Sequence, residues 1–331
     1  MTDFTDPAAV DDREARHHAG DEYRDARRPR FDETIGGLAA PIRTLATASL
    51  PPRDRSLPAT LCAVAGEVGF EATDAHTRSD ADRIGRLLEP VTTSVTLLEG
   101  YVRLRLALVV SADDGADRDA PIRAVDSAPD WLSGLLAEAQ FPADRDAVLL
   151  ASDRLHAGAY ATIADAPLAA ERQLELYRLL TEGSSALARR FLALSDADPF
   201  DERRAAIDAS DVEATLAETA GALGAAVVDA PTETRTALRT YSHAVMTALT
   251  SRSPNASDTD LRSRAVRVLA GETVARAAPS DENGTDDPVV ESHLERAREA
   301  LASLTGAVET TGDGPTPLDR LERATRLPFS G

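Results

Sequence analysis

The sequence predicts an all-α protein, a single large helical domain of about ten helices. Three observations carry this. Apolar residues recur at helical spacing from Phe31 almost to the end of the chain. Alanine and leucine dominate the periodic stretches, and both favour helix. No pair of alternating segments is present that would build a sheet.

Residues 1–30 are polar and form an N-terminal segment apart from the domain at 31–331. Ile35, Leu38, Ile42 and Leu45 then line one helical stripe. Pro58 opens a short apolar helix over 58–70, and EATDAHTRSDADR (71–83) reads as a polar loop. A long helix is predicted over 84–110, bent or started near Pro90. Within it VRLRLALVV (102–110) alternates like a strand, but nothing nearby could pair with it, so it is assigned to helix. Residues 111–130 form a long loop. Trp131–Ala139 reads as a short helix and Asp144–Ala164 as a longer one. In the next helix Leu176, Leu179, Leu180, Leu187, Phe191 and Leu194 share a face. Helices follow at 209–227, 232–252, 258–277 and 288–308, and a last one at 316–326 starts after Pro315. Loops are expected at 253–260 and 278–287.

Composition narrows the function classes. The 331 residues carry 36 basic side chains, all arginine, against 56 acidic ones, a formal charge of -20. That charge disfavours a nucleic-acid backbone or an anionic membrane as partner. It fits a salt-adapted, halophilic proteome, where acidic surfaces keep proteins dispersed. Cys62 is the one cysteine and lies in the apolar run ATLCAVAG, so it reads as core. An acidic N-terminus and the lack of any long apolar run predict a cytoplasmic protein with no integral membrane segment.

Four stretches resemble the trans-isoprenyl diphosphate (polyprenyl) synthase family. AVLLASDRLHAGAYATIADAPLAAERQLELYRLLTEGSSALA (147–188) is similar to the family's mid-chain helices, and GALGAAVVDAPTETRTALRTYSHAVMTAL (221–249) to the helix pair ahead of its second metal motif. PRDRSLPATLCAVAGEVG (52–69) resembles the lead-in that carries a Lys-Arg-x-Arg-Pro run, and residues 297–329 resemble the last two helices. The resemblance implies an isoprenoid-synthase-type helical domain and a dimer of helical subunits, with 97–110 a buried or dimer-facing element. In the family an allylic diphosphate ionises, magnesium held by two Asp-rich motifs offsets the departing charge, and basic side chains grip the second diphosphate.

The positions implied for that chemistry are occupied otherwise. The first DDxxD falls on Leu106, Ala107, Leu108, Val109 and Val110. The Phe-Gln of the second motif falls on Leu249-Thr250 and its paired aspartates on Ser253-Pro254. The Lys-Arg-x-Arg-Pro run becomes Asp54-Arg55-Ser56-Leu57-Pro58, which leaves Arg55 as the candidate substrate-binding residue. The Gly-Gln pair becomes Arg190-Phe191, and the Lys-Thr pair falls near Val212-Glu213. Tyr101 stands where the family often places a bulky chain-length stop.

The expectation is therefore a non-catalytic chain, a pseudoenzyme with no catalytic or metal residues and no cofactor. It would be a partner or regulatory subunit of an active prenyl synthase, a homo- or hetero-oligomer, or an isoprenoid binder. One alternative is an active prenyltransferase whose metal site is displaced to Asp113, Asp114 and Asp117 of DDGAD, which would then take magnesium. Asp119 and Asp286-Asp287 are weaker acidic candidates. A second alternative is a helical scaffold unrelated to isoprenoids. Arg103 and Arg105 are candidate anion ligands or paired side chains. His17-His18 reads as a solvated pair, and His156 and His243 as core or groove histidines.

Overall fold

The computed structural model describes residues 34–52, 55–73, 80–112, 145–195, 202–251, 258–272, 288–304 and 316–326. These form α1 (Ala40–Ser49), α2 (Leu57–Glu71), α3 (Asp80–Ala112), α4 (Arg145–Ala164), α5 (Ala170–Ser195), α6 (Glu202–Val227), α7 (Thr232–Thr250), α8 (Asp258–Leu269), α9 (Pro288–Ala302) and α10 (Pro317–Ala324). No strand occurs among the described residues, as the sequence predicts. The predicted helix at Trp131–Ala139, most of the loop at 111–130 and the loop at 278–287 lie outside them.

Helix α6 is the axis of the bundle. Its composition, TLAETAGALGAAV over 215–227, is small and apolar on every side, and 219–227 are buried without a break. Such a helix can be packed all round. Val212, Leu216, Ala220 and Leu223 join one core with α3, α4 and α5, whereas Ala214, Ala217 and Ala225 join a second with α2, α7, α8, α9 and α10. Small residues set how near the neighbours come. A β-carbon at Gly183 of α5 would lie 2.5 Å from the Thr219 side chain, and one at Gly221 would lie 2.9 Å from the Leu238 carbonyl of α7.

Several boundaries differ from the sequence reading, each for a local reason. Helix α3 begins at Asp80, inside the segment read as a loop, and runs unbroken through a buried Pro90. Its strand-like stretch is helical because Leu104, Leu106, Ala107 and Leu108 are all buried, so apolar residues circle the helix and blur its period. Helix α6 starts at Glu202, seven residues early. Helix α8 ends at Leu269 rather than 277. Gly271 takes φ +83°, the Gly271 N–H donates to the Val268 carbonyl at 3.0 Å, and the Glu272 N–H donates to the Arg267 carbonyl at 2.9 Å. That is a Schellman stop, which glycine supplies without steric cost. The end of α6 makes the same turn with a non-glycine residue: Asp229 stands at φ 62°, and Arg172 of α5 holds its carboxylate at 2.5 Å.

Candidate functional site

The segment that the resemblance sets against the first metal motif lies on α3, and α3 turns it inward. Leu106, Ala107 and Leu108 are 3%, 0% and 7% exposed and belong to the α3–α6 core. A hard cation needs oxygen ligands, and these side chains have none. The region 97–108 is thus buried within its own chain. Tyr101, one heptad earlier, is buried as well; Phe191 of α5 meets it edge-on at 5.9 Å. Burial raises the Tyr101 phenol above its ordinary value, so it stays protonated at neutral pH.

Charged groups around this core are paired with one another. Arg190 donates to Asp211 at 2.9 Å, tying α5 to α6. Val212 is core, and the neighbouring Glu213 carboxylate is gripped by both terminal nitrogens of Arg262 of α8. These two side chains are 14% and 18% exposed, so the fork-to-fork pair is largely desolvated. Arg103 pairs with Glu99 at 2.8 Å, and Glu99 also accepts from the Ser56 hydroxyl at 2.6 Å. Ser56 caps α2, its oxygen accepting from the Ala59 N–H at 3.2 Å. Arg105 pairs with Asp153 of α4 at 2.6 Å and lies 5.5 Å over the Tyr101 ring. Arg103 and Arg105 are therefore both bound to partners within the chain.

The histidines are structural in their contacts. His156 shares a hydrogen bond with the Ser184 hydroxyl at 3.0 Å, and its ring centroid lies 4.8 Å from that of Tyr101. Burial lowers its pKa, with Asp153 opposing. The Tyr160 hydroxyl also donates to Ser184, at 3.3 Å, and a Tyr160–Tyr177 stack at 6.0 Å completes the α4–α5 seam. On the other flank His243 of α7 meets Glu218 of α6 at 3.1 Å, and Arg239 donates to the same carboxylate at 2.5 Å. The hydrogen bond from His243 is the largest cause holding the Glu218 carboxyl below its usual range, and Arg239 adds to it. Cys62 is buried and unbridged, in line with its reading as core.

Arg55 is exposed, and its N–H donates to the Pro52 carbonyl at 2.8 Å. At the end of α7, Leu249 is buried, and the Thr250 hydroxyl donates to the Met246 carbonyl at 3.0 Å. Ser253, Pro254, Asp113, Asp114, Asp117, Asp119, Asp286, Asp287, His17 and His18 lie outside the described residues. Among the described residues, no three His, Cys, Asp or Glu side chains converge in a way that would hold a metal ion. The residues at 106–109 do not fit magnesium.

Sequence reasoning missed the inter-helix ion pairs. Glu175 of α5, which also pairs with Arg172 on its own helix, takes Arg235 of α7, and Glu67 of α2 takes Arg320 of α10. Partners 60 and 253 residues apart leave no trace in local spacing.

No family model matches the chain, and no curated protein matches it. Its fold does match solved structures. A geranyltransferase from Legionella pneumophila superposes with a TM-score of 0.52 at 15% identity, over 89% of this chain and 93% of that one. A polyprenyl synthetase from Streptomyces coelicolor A3(2) superposes with a TM-score of 0.51 at 17% identity, over 92% of this chain and 97% of that one. The chain has an all-α fold of the trans-isoprenyl diphosphate synthase type. No described helix is long and apolar enough to cross a membrane.

Proposed function

We propose that this chain is a non-catalytic prenyl-synthase-like protein, a partner or regulatory subunit of a polyprenyl diphosphate synthase or a binder of isoprenoids. One observation carries the reading: the segment that would present the first metal motif is leucine, alanine and valine, with 106–108 buried in the core. The pairing of Arg190 with Asp211, and of Arg262 with Glu213, supports it. A diphosphate would have to compete with carboxylates already in place. The fold likeness favours this reading over an unrelated helical scaffold. The test is incubation of the purified chain with isopentenyl and allylic diphosphates and magnesium. No chain elongation is expected, and clear product would overturn the reading.

A displaced-site prenyltransferase is the second reading. It is favoured by the sequence position of Asp113 and Asp114 directly after Ala112, the last residue of α3, with Asp117 three residues further on. If product does form, replacing all three by alanine abolishes it under this reading. Unchanged turnover would remove it.

A further inference from the structure

One cluster of reactive side-chain types plays no part in the function proposed above. It lies in the seam between α4 and α5, where His156, Tyr160, Thr181 and Ser184 meet. Thr181 is exposed and the other three are half-buried, so the cluster borders solvent.

Its hydrogen bonds run in one direction. The Tyr160 phenol donates to the Ser184 oxygen at 3.3 Å, which leaves the serine's own proton for His156 Nε2 at 3.0 Å. That direction puts the ring proton on Nδ1 and the lone pair on Nε2. The ring is fixed in place: Tyr101 packs tilted against it at 4.8 Å, and Tyr160 meets it edge-on at 5.2 Å. Burial disfavours the charged ring, so it is neutral and able to accept a proton near pH 7. Asp153, three residues earlier on α4, favours the cation once it forms, and Arg105, which opposes it, is paired with that carboxylate at 2.6 Å.

A serine hydroxyl within hydrogen-bond reach of a neutral, oriented imidazole is the arrangement that nucleophilic acyl transfer needs. We propose that Ser184 and His156 form a nucleophile–base pair that hydrolyses small, uncharged carboxylic esters. As the Ser184 oxygen bonds to the ester carbonyl carbon, its proton passes to His156 Nε2. The carbonyl oxygen gains the negative charge, and the Tyr160 and Thr181 hydroxyls beside Ser184 are the donors that meet it. The bond from the carbonyl carbon to the alkoxy oxygen then breaks, and the leaving oxygen takes the proton from His156. In the second half a water gives its proton to Nε2 and its oxygen attacks the acyl carbon. Ser184 departs with that proton, so ester and water become acid and alcohol.

The substrate class follows from the walls. The Tyr160 and Tyr177 rings, stacked at 6.0 Å, offer apolar faces, and Arg105 is committed to Asp153. An uncharged ester fits such a wall better than an anion. This activity is independent of prenyl transfer, and the two assays use different substrates, so each can fail alone.

The test is incubation of the full chain with p-nitrophenyl butyrate and, separately, with a fluorophosphonate probe. Saturable hydrolysis is expected. Ser184→Ala and His156→Gln are each expected to lower kcat/KM about 100-fold or more while keeping helical circular dichroism. Ser185→Ala, at the exposed neighbouring serine, is expected to leave the rate unchanged. Peptide mass spectrometry of the unmutated chain is expected to find one phosphonate per chain, on Ser184, which keeps the proposal testable if a variant does not fold. Hydrolysis no faster than in Ser184→Ala would overturn it. So would an undiminished rate in His156→Gln, or a probe that labels Ser185 or another serine in place of Ser184.

Discussion

Gly224 of α6 rests directly on the Cys62 carbonyl of α2; a β-carbon at 224 would overlap that oxygen and lie 2.8 Å from the carbonyl carbon. Backbone meets backbone at this crossing, so neither helix can yield by turning a side chain. Gly224→Ala is expected to cost about 3 kcal/mol, the upper part of the range for overpacked cores. A β-carbon at Gly36 would meet nothing within 4 Å, and Gly36→Ala is expected to change stability by less than about 0.5 kcal/mol. Chemical denaturation of the two variants checks the contrast. Equal stabilities would mean that the α2–α6 crossing is looser than described.

The Glu213–Arg262 pair joins α6 to α8 with both partners largely out of water. Removing one partner strands a buried charge. Glu213→Ala is expected to cost about 3–5 kcal/mol. The double variant Glu213→Leu/Arg262→Met is expected to recover most of that loss, since two apolar groups fill the space without a desolvation penalty. A double-mutant cycle read by urea midpoints measures it, and a double variant as weak as the single one would refute the account.

Stability should fall on mild acidification. Burial lowers the pKa of both His156 and His293; for His293, His243 and Arg296 push the same way and Asp211 opposes. The unfolded chain therefore takes up these protons first. Stability is complete above about pH 6.5 and declines as pH drops through and below that value. Glu218, held below the ordinary carboxylate range by His243 and Arg239, keeps its contribution until the pH falls further, below about 4. Melting temperatures from pH 7.5 to 4 should show the first decline, and His293→Gln should make it shallower. An unchanged slope in that variant would rule out His293 as a source.

Planting a carboxylate at Ala107 should not create metal binding. Ala107 is wholly buried among apolar neighbours. Ala107→Asp is expected to cost more than about 3 kcal/mol, or to force the new carboxyl to stay protonated. Thermal melts with and without magnesium decide this. A magnesium-dependent rise in the melting temperature of the variant would mean that this segment opens to solvent.

Much of the fold was readable because helical period is a local signal. Leu176, Leu180, Leu187 and Phe191 announce the buried face of α5, and all four are core. The period failed where a helix is enclosed. The stretch 102–108 mimics a strand because Arg103 and Arg105 interrupt an apolar surface, and each arginine is accommodated by a carboxylate elsewhere, at Glu99 and Asp153. Helix stops are hidden for another reason. Gly271 is a helix terminator by residue type, but the periodic apolar residues around it read straight across it. At the candidate site, the apolar character of 106–110 was legible as residue types. The partners of Arg190 and Arg262 were not, because ion pairs between helices depend on how the helices cross.

The sequence by itself determined the helical class, the core faces of the amphipathic helices and the chemical character of positions 106–110, because each depends on residue type and on spacing within one helix. Tertiary structure alone decided that α6 is the buried axis and that 97–108 face inward. It also decided that Asp211 and Glu213 are bound to arginines from other helices, and that Leu150, Leu174 and Leu192 remain in water on the α4–α5 face. Those outcomes follow from close approaches such as Gly224 against Cys62, which bring together residues far apart in the chain and which local spacing cannot encode.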